Sequence, residues 1–367
     1  MGAPHRAAAA AAAAMLTVAL APVPAAAGPD APLKKIKAGS WIIADADTGE
    51  VLAARNPHKH FLPASTQKVL TAVTLIPLLG GDTEITPTRE SVEPEGTKVG
   101  MTPKLSYKSA DLFRALLMAS ANDAAMTLTL PQGGMRPTLD LMNAEARRIG
   151  ARNTLAGSPN GLDVDLGLDV KTQYTTSYDL ALILRAGLAE PEFVEYASTV
   201  HAKFPALRPA KVDKKTKKKI PAKQYMMPIY SHIRMLPGES QQYKGFIAGK
   251  NGYTNAARQT FVGAAERDGR RIVIALMKAE SLWDNAKVLF DWGFANAGKV
   301  EPVASLVAPS AAATADPSDP ARREAQKGSG SKDSDSNDNL LLGAIGGGFI
   351  LAGVGVLLVR RRPTATD

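Results

Sequence analysis

Residues 63–79 constrain this chain more than any other stretch. Pro63-Ala64-Ser65-Thr66-Gln67-Lys68 leads into turns dominated by Val69, Leu70, Val73, Leu75, Ile76 and Leu79. A helix that is apolar almost all round belongs inside a core, not on a surface, so the fold has to wrap around this segment. Pro63 and Ser65 read as its start signals. Ser65 and Lys68 are three residues apart, which puts them on one helix face, at the buried end of the helix. An amine held out of water loses part of its preference for the charged form. A neutral lysine can take a proton from a serine hydroxyl, which makes a nucleophile–base pair without histidine. The plainer reading makes Ser65 an N-cap and Lys68 a surface charge. The four-residue pattern by itself is cheap, since Ser329-Gly330-Ser331-Lys332 repeats it in a stretch of linker composition.

The two ends set the compartment. After His5 and Arg6 comes an Ala-rich apolar stretch to Leu20, then small residues at Ala25 and Ala27. This reads as a secretory signal peptide over 1–27, cleaved after Ala27. Residues 340–359 carry no charge and are followed by Arg360-Arg361-Arg362. About 20 such residues span a bilayer, and the arginines hold the tail, 360–367, in the cytoplasm. The expected protein is extracytoplasmic and anchored in the cell membrane by one C-terminal helix. Gly343 and Gly347 form a GxxxG pattern, which chance explains equally well in so Gly-rich a span. Cysteine is absent, so the exported body is held by its core and not by disulfides. Cys–His catalysis and Cys-ligated metals are excluded. His58 and His60 flank Lys59 in a polar loop and read as a solvated pair, not a metal site.

Between the ends, Trp41–Asp45 and Val51–Ala54 read as a β-hairpin around Asp47-Thr48-Gly49-Glu50. Helical periodicity covers 109–118, 124–130, 137–149, 178–189 (capped by Thr176 or Ser177), 191–198 and 282–294. Residues 246–254 read as a strand carrying Lys250, and 259–266 with 271–277 as a hairpin. The pattern predicts an α+β body: one antiparallel sheet from N- and C-terminal strands, flanked by helices, with a mostly helical inserted subdomain. The catalytic domain is placed at 38–300 after a lead-in at 28–37. From 301 to 339 the composition collapses to Ala, Pro, Ser, Asp and Gly, a disordered linker. The formal net charge of +9 sits in local runs, of which Lys211–Lys219 is the densest. A solvated loop is the leading reading of that run. Contact with anionic envelope polymer or lipid headgroups is the functional one. Nucleic acid does not suit an exported, anchored protein.

Two further short elements follow the first in order. Ser120-Ala121-Asn122 is an SxN between two helices, and Lys250-Asn251-Gly252 is a KxG on a strand. Each is weak alone: Ser158-Pro159-Asn160 also fits SxN, and Lys37-Ala38-Gly39 also fits KxG. Together with Ser65-x-x-Lys68 the trio resembles the serine penicillin-recognising enzymes. The flanks Asp45–Leu52, Asp123-Ala124-Ala125, Thr175–Leu180 and Gly252-Tyr253-Thr254 with Ala257 look like the low-molecular-mass penicillin-binding proteins of the D-alanyl-D-alanine carboxypeptidase family. The likeness runs from about Ala38 to about Phe294, and that family's β-rich second domain has no counterpart here.

The resemblance implies a β-lactamase/DD-peptidase-like α/β fold. It implies removal of the terminal D-Ala from peptidoglycan stem peptides, with β-lactams as covalent inhibitors and no cofactor or metal. It makes Ser65 the acylated nucleophile, Lys68 its base and Ser120 a proton relay. Substrate binding falls to Asn122, Lys250, Asn251, Gly252 and Tyr253, with the Ser65 and Tyr253 amides as oxyanion hole. Two departures stand out: Asn251 replaces the family's Thr, and Arg258 stands where Gly is common. A weakened envelope scaffold on the same fold, a β-lactamase and a transpeptidase remain alternatives. No clear Glu-x-x-x-Asn element supports the β-lactamase.

Overall fold

The computed structural model describes residues 31–163 and 173–307. The expected leader, the linker beyond 307, the span at 340–359 and the tail lie outside the described residues. Among the described residues no helix is long and apolar enough to cross a membrane.

The chain opens with the expected hairpin, β1 (Ala38–Asp45) and β2 (Glu50–Arg55). Then comes the central helix α1 (Gln67–Leu75), every residue of which is buried. Two short paired strands, β3 (Glu84–Ile85) and β4 (Tyr107–Lys108), lead into α2 (Ser109–Leu117) and α3 (Asn122–Thr127). The helix expected over 124–130 thus starts two residues earlier and ends earlier. Helices α4 (Met135–Ile149), α5 (Ser177–Gly187) and α6 (Pro191–Ser198) complete the helical part. Of the two candidate caps for α5, Thr176 takes the role, accepting from Asp179 N.

Residues 201–230, where the sequence pattern predicts no strand, form an antiparallel arm. Its strands are β5 (His201–Arg208), β6 (Lys211–Val212), β7 (Lys219–Ile220) and β8 (Lys223–Tyr230), with β5 paired to β8 and β6 to β7. The basic run is therefore the tip of a hairpin, not an irregular loop. Next come β9 (Phe246–Thr254), β10 (Arg258–Arg267), β11 (Arg270–Ala279), α7 (Leu282–Asn296) and β12 (Ala304–Ser305). Asp268 and Gly269 turn β10 into β11 with φ 51° and 74°, the positive pair that a tight hairpin turn requires.

The main sheet is antiparallel, in the order β12-β2-β1-β11-β10-β9. Alternation along its strands feeds two cores. Ile42, Ala44, Val262, Val273 and Ala275 face the helices, where Val69, Leu70, Phe113 and Leu184 pack. Trp41, Ile43, Phe261, Ile272 and Ile274 face α7 and its Leu289 and Phe290. Both faces are covered, so the middle strands read as nearly continuous apolar runs. The body also runs past the boundary set at 300: β12 pairs with β2, and Leu306 is buried in the helix-side core.

Candidate active site

Ser65 lies in a single 3₁₀ turn, Ala64–Thr66, that precedes α1. It is not the N-cap that the plainer reading makes of it. Thr66 is the residue before the helix, and its hydroxyl donates back to Pro63 O at 2.6 Å. Ala64 has φ 47°, a left-handed conformation that costs a residue with a Cβ on the order of 1–3 kcal/mol. Two neighbours hold the strained turn. Thr260 Oγ1 donates to Pro63 O at 2.9 Å from β10. Gly161, at φ +80°, packs so tightly that a Cβ there would sit 1.8 Å from Ala64 O.

Lys68 is fully buried. Its Nζ is 2.9 Å from Ser65 Oγ, 2.8 Å from Asn122 Oδ1 and 2.7 Å from Asn160 O. The last two are pure acceptors and take two N–H bonds. The third partner is a hydroxyl, which can donate. That is the arrangement a neutral amine needs: two donors spent on carbonyls, and the lone pair turned to the serine O–H. Burial drives the Lys68 pKa well below its ordinary value, and the Lys250 charge lowers it further against a smaller opposing pull from Asp123.

Asn122 begins α3. Its Oδ1 accepts from Lys68 and its Nδ2 donates to Glu95 O at 2.6 Å, so both ends of the amide are engaged. Ser120, two residues earlier, has φ 59°. No hydrogen bond joins its hydroxyl to Ser65 or Lys68 among the described residues. Asp123 is buried and accepts from the amides of Val99, Gly100 and Met101, pinning the loop that carries Glu95.

Strand β9 is the edge of the sheet beside Ser65. Lys250 pairs with Val262 and Asn251 with Phe261, so the two side chains leave opposite faces. Lys250 goes to the helix side, fully buried. Burial lowers its pKa to about 7, and its Nζ donates to Asn251 O at 2.6 Å. Gly252 is needed sterically, because a Cβ there would lie 2.6 Å from Ser65 N. Tyr253 is exposed. Asn251 lines a cavity of about 620 Å³ with Ser231, His232, Arg234, Gly252, Tyr253 and Trp283. Its Oδ1 is buried there without a partner. Burial lowers the His232 pKa, helped by the charges of Lys250, Arg234 and Lys68.

The structure thus gathers Ser65, Lys68, Asn122 and Gly252 into direct contact, with Lys250 coupled to Lys68 through its charge. Sequence reading missed Asn160, Gly161, Asp123, His232 and Arg234. A signal existed for the first: Ser158-Pro159-Asn160 is the spare SxN, and it meets Lys68 through a main-chain carbonyl. Among the described residues no group of three or more His, Asp or Glu stands close enough to hold a metal ion.

The profile of the D-alanyl-D-alanine carboxypeptidase family matches residues 25–281. D-alanyl-D-alanine carboxypeptidase DacB2 of Mycobacterium tuberculosis is 39% identical over 273 residues, 73% of this chain and 84% of that one. A solved D-alanyl-D-alanine carboxypeptidase from the same organism superposes with a TM-score of 0.64 at 38% identity, over 75% of this chain and 96% of that one. Penicillin-binding protein D2 of Listeria monocytogenes, solved with ampicillin bound, superposes with a TM-score of 0.57 at 25% identity, over 71% and 98%.

Proposed function

The chain belongs to the D-alanyl-D-alanine carboxypeptidase family, and from that premise we propose how its site works and where it works. It is a serine-type carboxypeptidase. In the proposed reaction Ser65 Oγ passes its proton to neutral Lys68 Nζ and attacks the carbonyl of the penultimate D-Ala of a peptidoglycan stem peptide. The amides of Ser65 and Tyr253 receive the oxyanion, a contribution usually worth about 10²–10³ in rate per donor. Collapse expels the terminal D-Ala, whose amine takes a proton relayed from Lys68 through Ser120. A water, deprotonated by the same lysine, then hydrolyses the Ser65 ester. Lys250 supplies positive potential for the substrate carboxylate. Asn251, Gly252 and Tyr253 form the strand against which the substrate lies, and Asn122 borders its amide side. β-Lactams acylate the same serine.

One observation carries this reading: a fully buried lysine gives two carbonyls its N–H bonds and turns its third position to Ser65 Oγ. Export and anchoring are supported by the sequence over 1–27 and 340–359 and by Arg360–Arg362. Labelling whole cells with a fluorescent penicillin, then washing the membranes with carbonate, tests both parts. The expected result is a labelled full-length band in the washed membranes and no label in Ser65→Ala. Label on Ser65→Ala overturns the nucleophile, and release of the band by carbonate overturns the anchor. Asn251 in place of Thr favours one other reading, a weakened envelope scaffold. Release of D-Ala from a stem peptide, lost in Lys68→Ala, excludes it.

A further inference from the structure

The arm β5–β8 takes no part in the site, and its far end is built unlike the rest of the surface. Between Lys211 and Lys223 lie seven lysines and one aspartate, a net +6 against +9 for the whole chain. All seven lysines are exposed, and none forms an ion pair among the described residues. The single carboxylate is committed to the turn: Asp213 Oδ1 accepts from the amides of Lys215 and Thr216 at 2.9 and 2.8 Å.

Three features cost stability locally. Arg208 and Lys223 are directly opposite each other in the ladder, where like charges repel. Lys217 has φ 58°, where Gly or Asn would sit with less strain. Apolar side chains stand in water at the same end: Val212 is 54% exposed, Met226 50% and Tyr225 40%. Lys211 is paired with Ile220 and Val212 with Lys219, so each face of the tip carries one aliphatic and one ammonium group. The tip is a two-sided wedge, not one greasy face.

We propose that the 211–223 tip is a docking element for an anionic phospholipid surface, with the lysines on the headgroups and Val212 and Ile220 entering between them. Charge complementarity names the partner class. The exposed aliphatic residues choose a bilayer over a soluble polyanion, because only a bilayer offers apolar volume beneath its charges. The contact does not depend on the proposed anchor at 340–359, so it is tested without it.

Residues 28–307 suffice for the test. Both cores close within the described residues, and the solved mycobacterial relative consists almost wholly of the matching body. Sedimentation with phosphatidylcholine vesicles, with and without phosphatidylglycerol, is the measurement. Binding is expected to be roughly tenfold or more tighter with the anionic lipid and to weaken with salt. Replacing Lys214, Lys215, Lys217 and Lys218 by Gln is expected to abolish that preference. Val212→Ser with Ile220→Ser is expected to weaken vesicle binding several-fold while leaving binding to inorganic polyphosphate unchanged. Penicillin labelling stays at the parent level in every variant, which certifies the fold and separates failure of the arm from failure of the active site. Equal binding to both vesicle types overturns the proposal. So does an aliphatic variant that binds anionic vesicles like the parent, which would assign the arm to a soluble polyanion.

Discussion

Lys68 and Lys250 are two fully buried amines, and their charges repel. The proposed chemistry wants them in different states, Lys68 neutral as base and Lys250 charged beside the carboxylate. With Lys250 titrating near pH 7, kcat/KM should rise as the pair loses its first proton and fall as it loses the second, with apparent values that belong to the pair. Lys250→Met removes the charge that adds to burial in depressing Lys68. The acid limb should therefore move to higher pH and the alkaline limb should flatten, while activity drops overall. Stability follows with a definite sign. The folded pKa of Lys250 is about 7 and an unfolded lysine titrates near 10.4, so between these values the unfolded chain binds more protons and stability rises with pH. Lys250→Met should lose its own share of that rise, with the share from the equally buried Lys68 remaining, and gain on the order of a few kcal/mol at pH 7. pH–rate profiles and urea melts across that range check both. An unmoved acid limb would mean that Lys250 does not set the state of Lys68. Ser65, Lys68 and Asn122 were legible in the sequence because what meets at Lys68 there is side chains at fixed spacing. Asn160 was not, because its contribution is a backbone carbonyl, which every residue has.

The 158–162 turn works as one piece. Ser158 Oγ accepts from Gly161 N, Asn160 Oδ1 accepts from Leu162 N, and Asn160 O accepts from Lys68. The turn presses on Ala64 through Gly161, so Ser65, the proposed nucleophile, and Lys68, its proposed base, are positioned by the same few atoms. Gly161→Ala should push the two turns apart. The expected loss is about 10²-fold in the rate of penicillin labelling, with about 2 kcal/mol or more of stability. Gly133→Ala is the control: it shares the positive φ but meets nothing nearer than 3.6 Å, so labelling should be unchanged. Parental labelling by Gly161→Ala would show that the turn does not position the pair. The arm was the element least legible in sequence. Pro205 interrupts β5 and Pro228 interrupts β8, and proline argues against a strand in any sheet interior. A two-stranded arm has two open edges, so these residues sit in it without an unmet partner.

At the scale of the body, the limits of the fold were set by composition in the sequence and by pairing in the structure. The sheet, both cores and the order of the motif-bearing elements follow from apolar runs of ordinary length. The C-terminal boundary does not, because the stretch from Pro302 onward already reads as linker. Yet Val303 N donates to Val51 O at 2.8 Å and Leu306 N to Gly49 O at 2.7 Å. Tyr178 Oη donates to Ser305 O at 2.8 Å and accepts from Val307 N at 3.1 Å. Two strand residues and one buried leucine are too short a signal for periodicity to detect. They nevertheless cover the edge of β2 and tie it to α5. A body ending at residue 300 should lose the burial of Leu306, about 1.5–3 kcal/mol, along with the bonds of Tyr178. It should also expose β2 as a free edge prone to pairing with another copy. Compared with 28–307, the 28–300 body is expected to unfold about 3–5 kcal/mol more easily in urea. It should self-associate at concentrations where the longer form is monomeric, and still accept penicillin in the cold, since Ser65 and Lys68 are held from other elements. Equal urea midpoints and equal monodispersity would show that the closing strand is dispensable, and would return the boundary to where composition alone puts it.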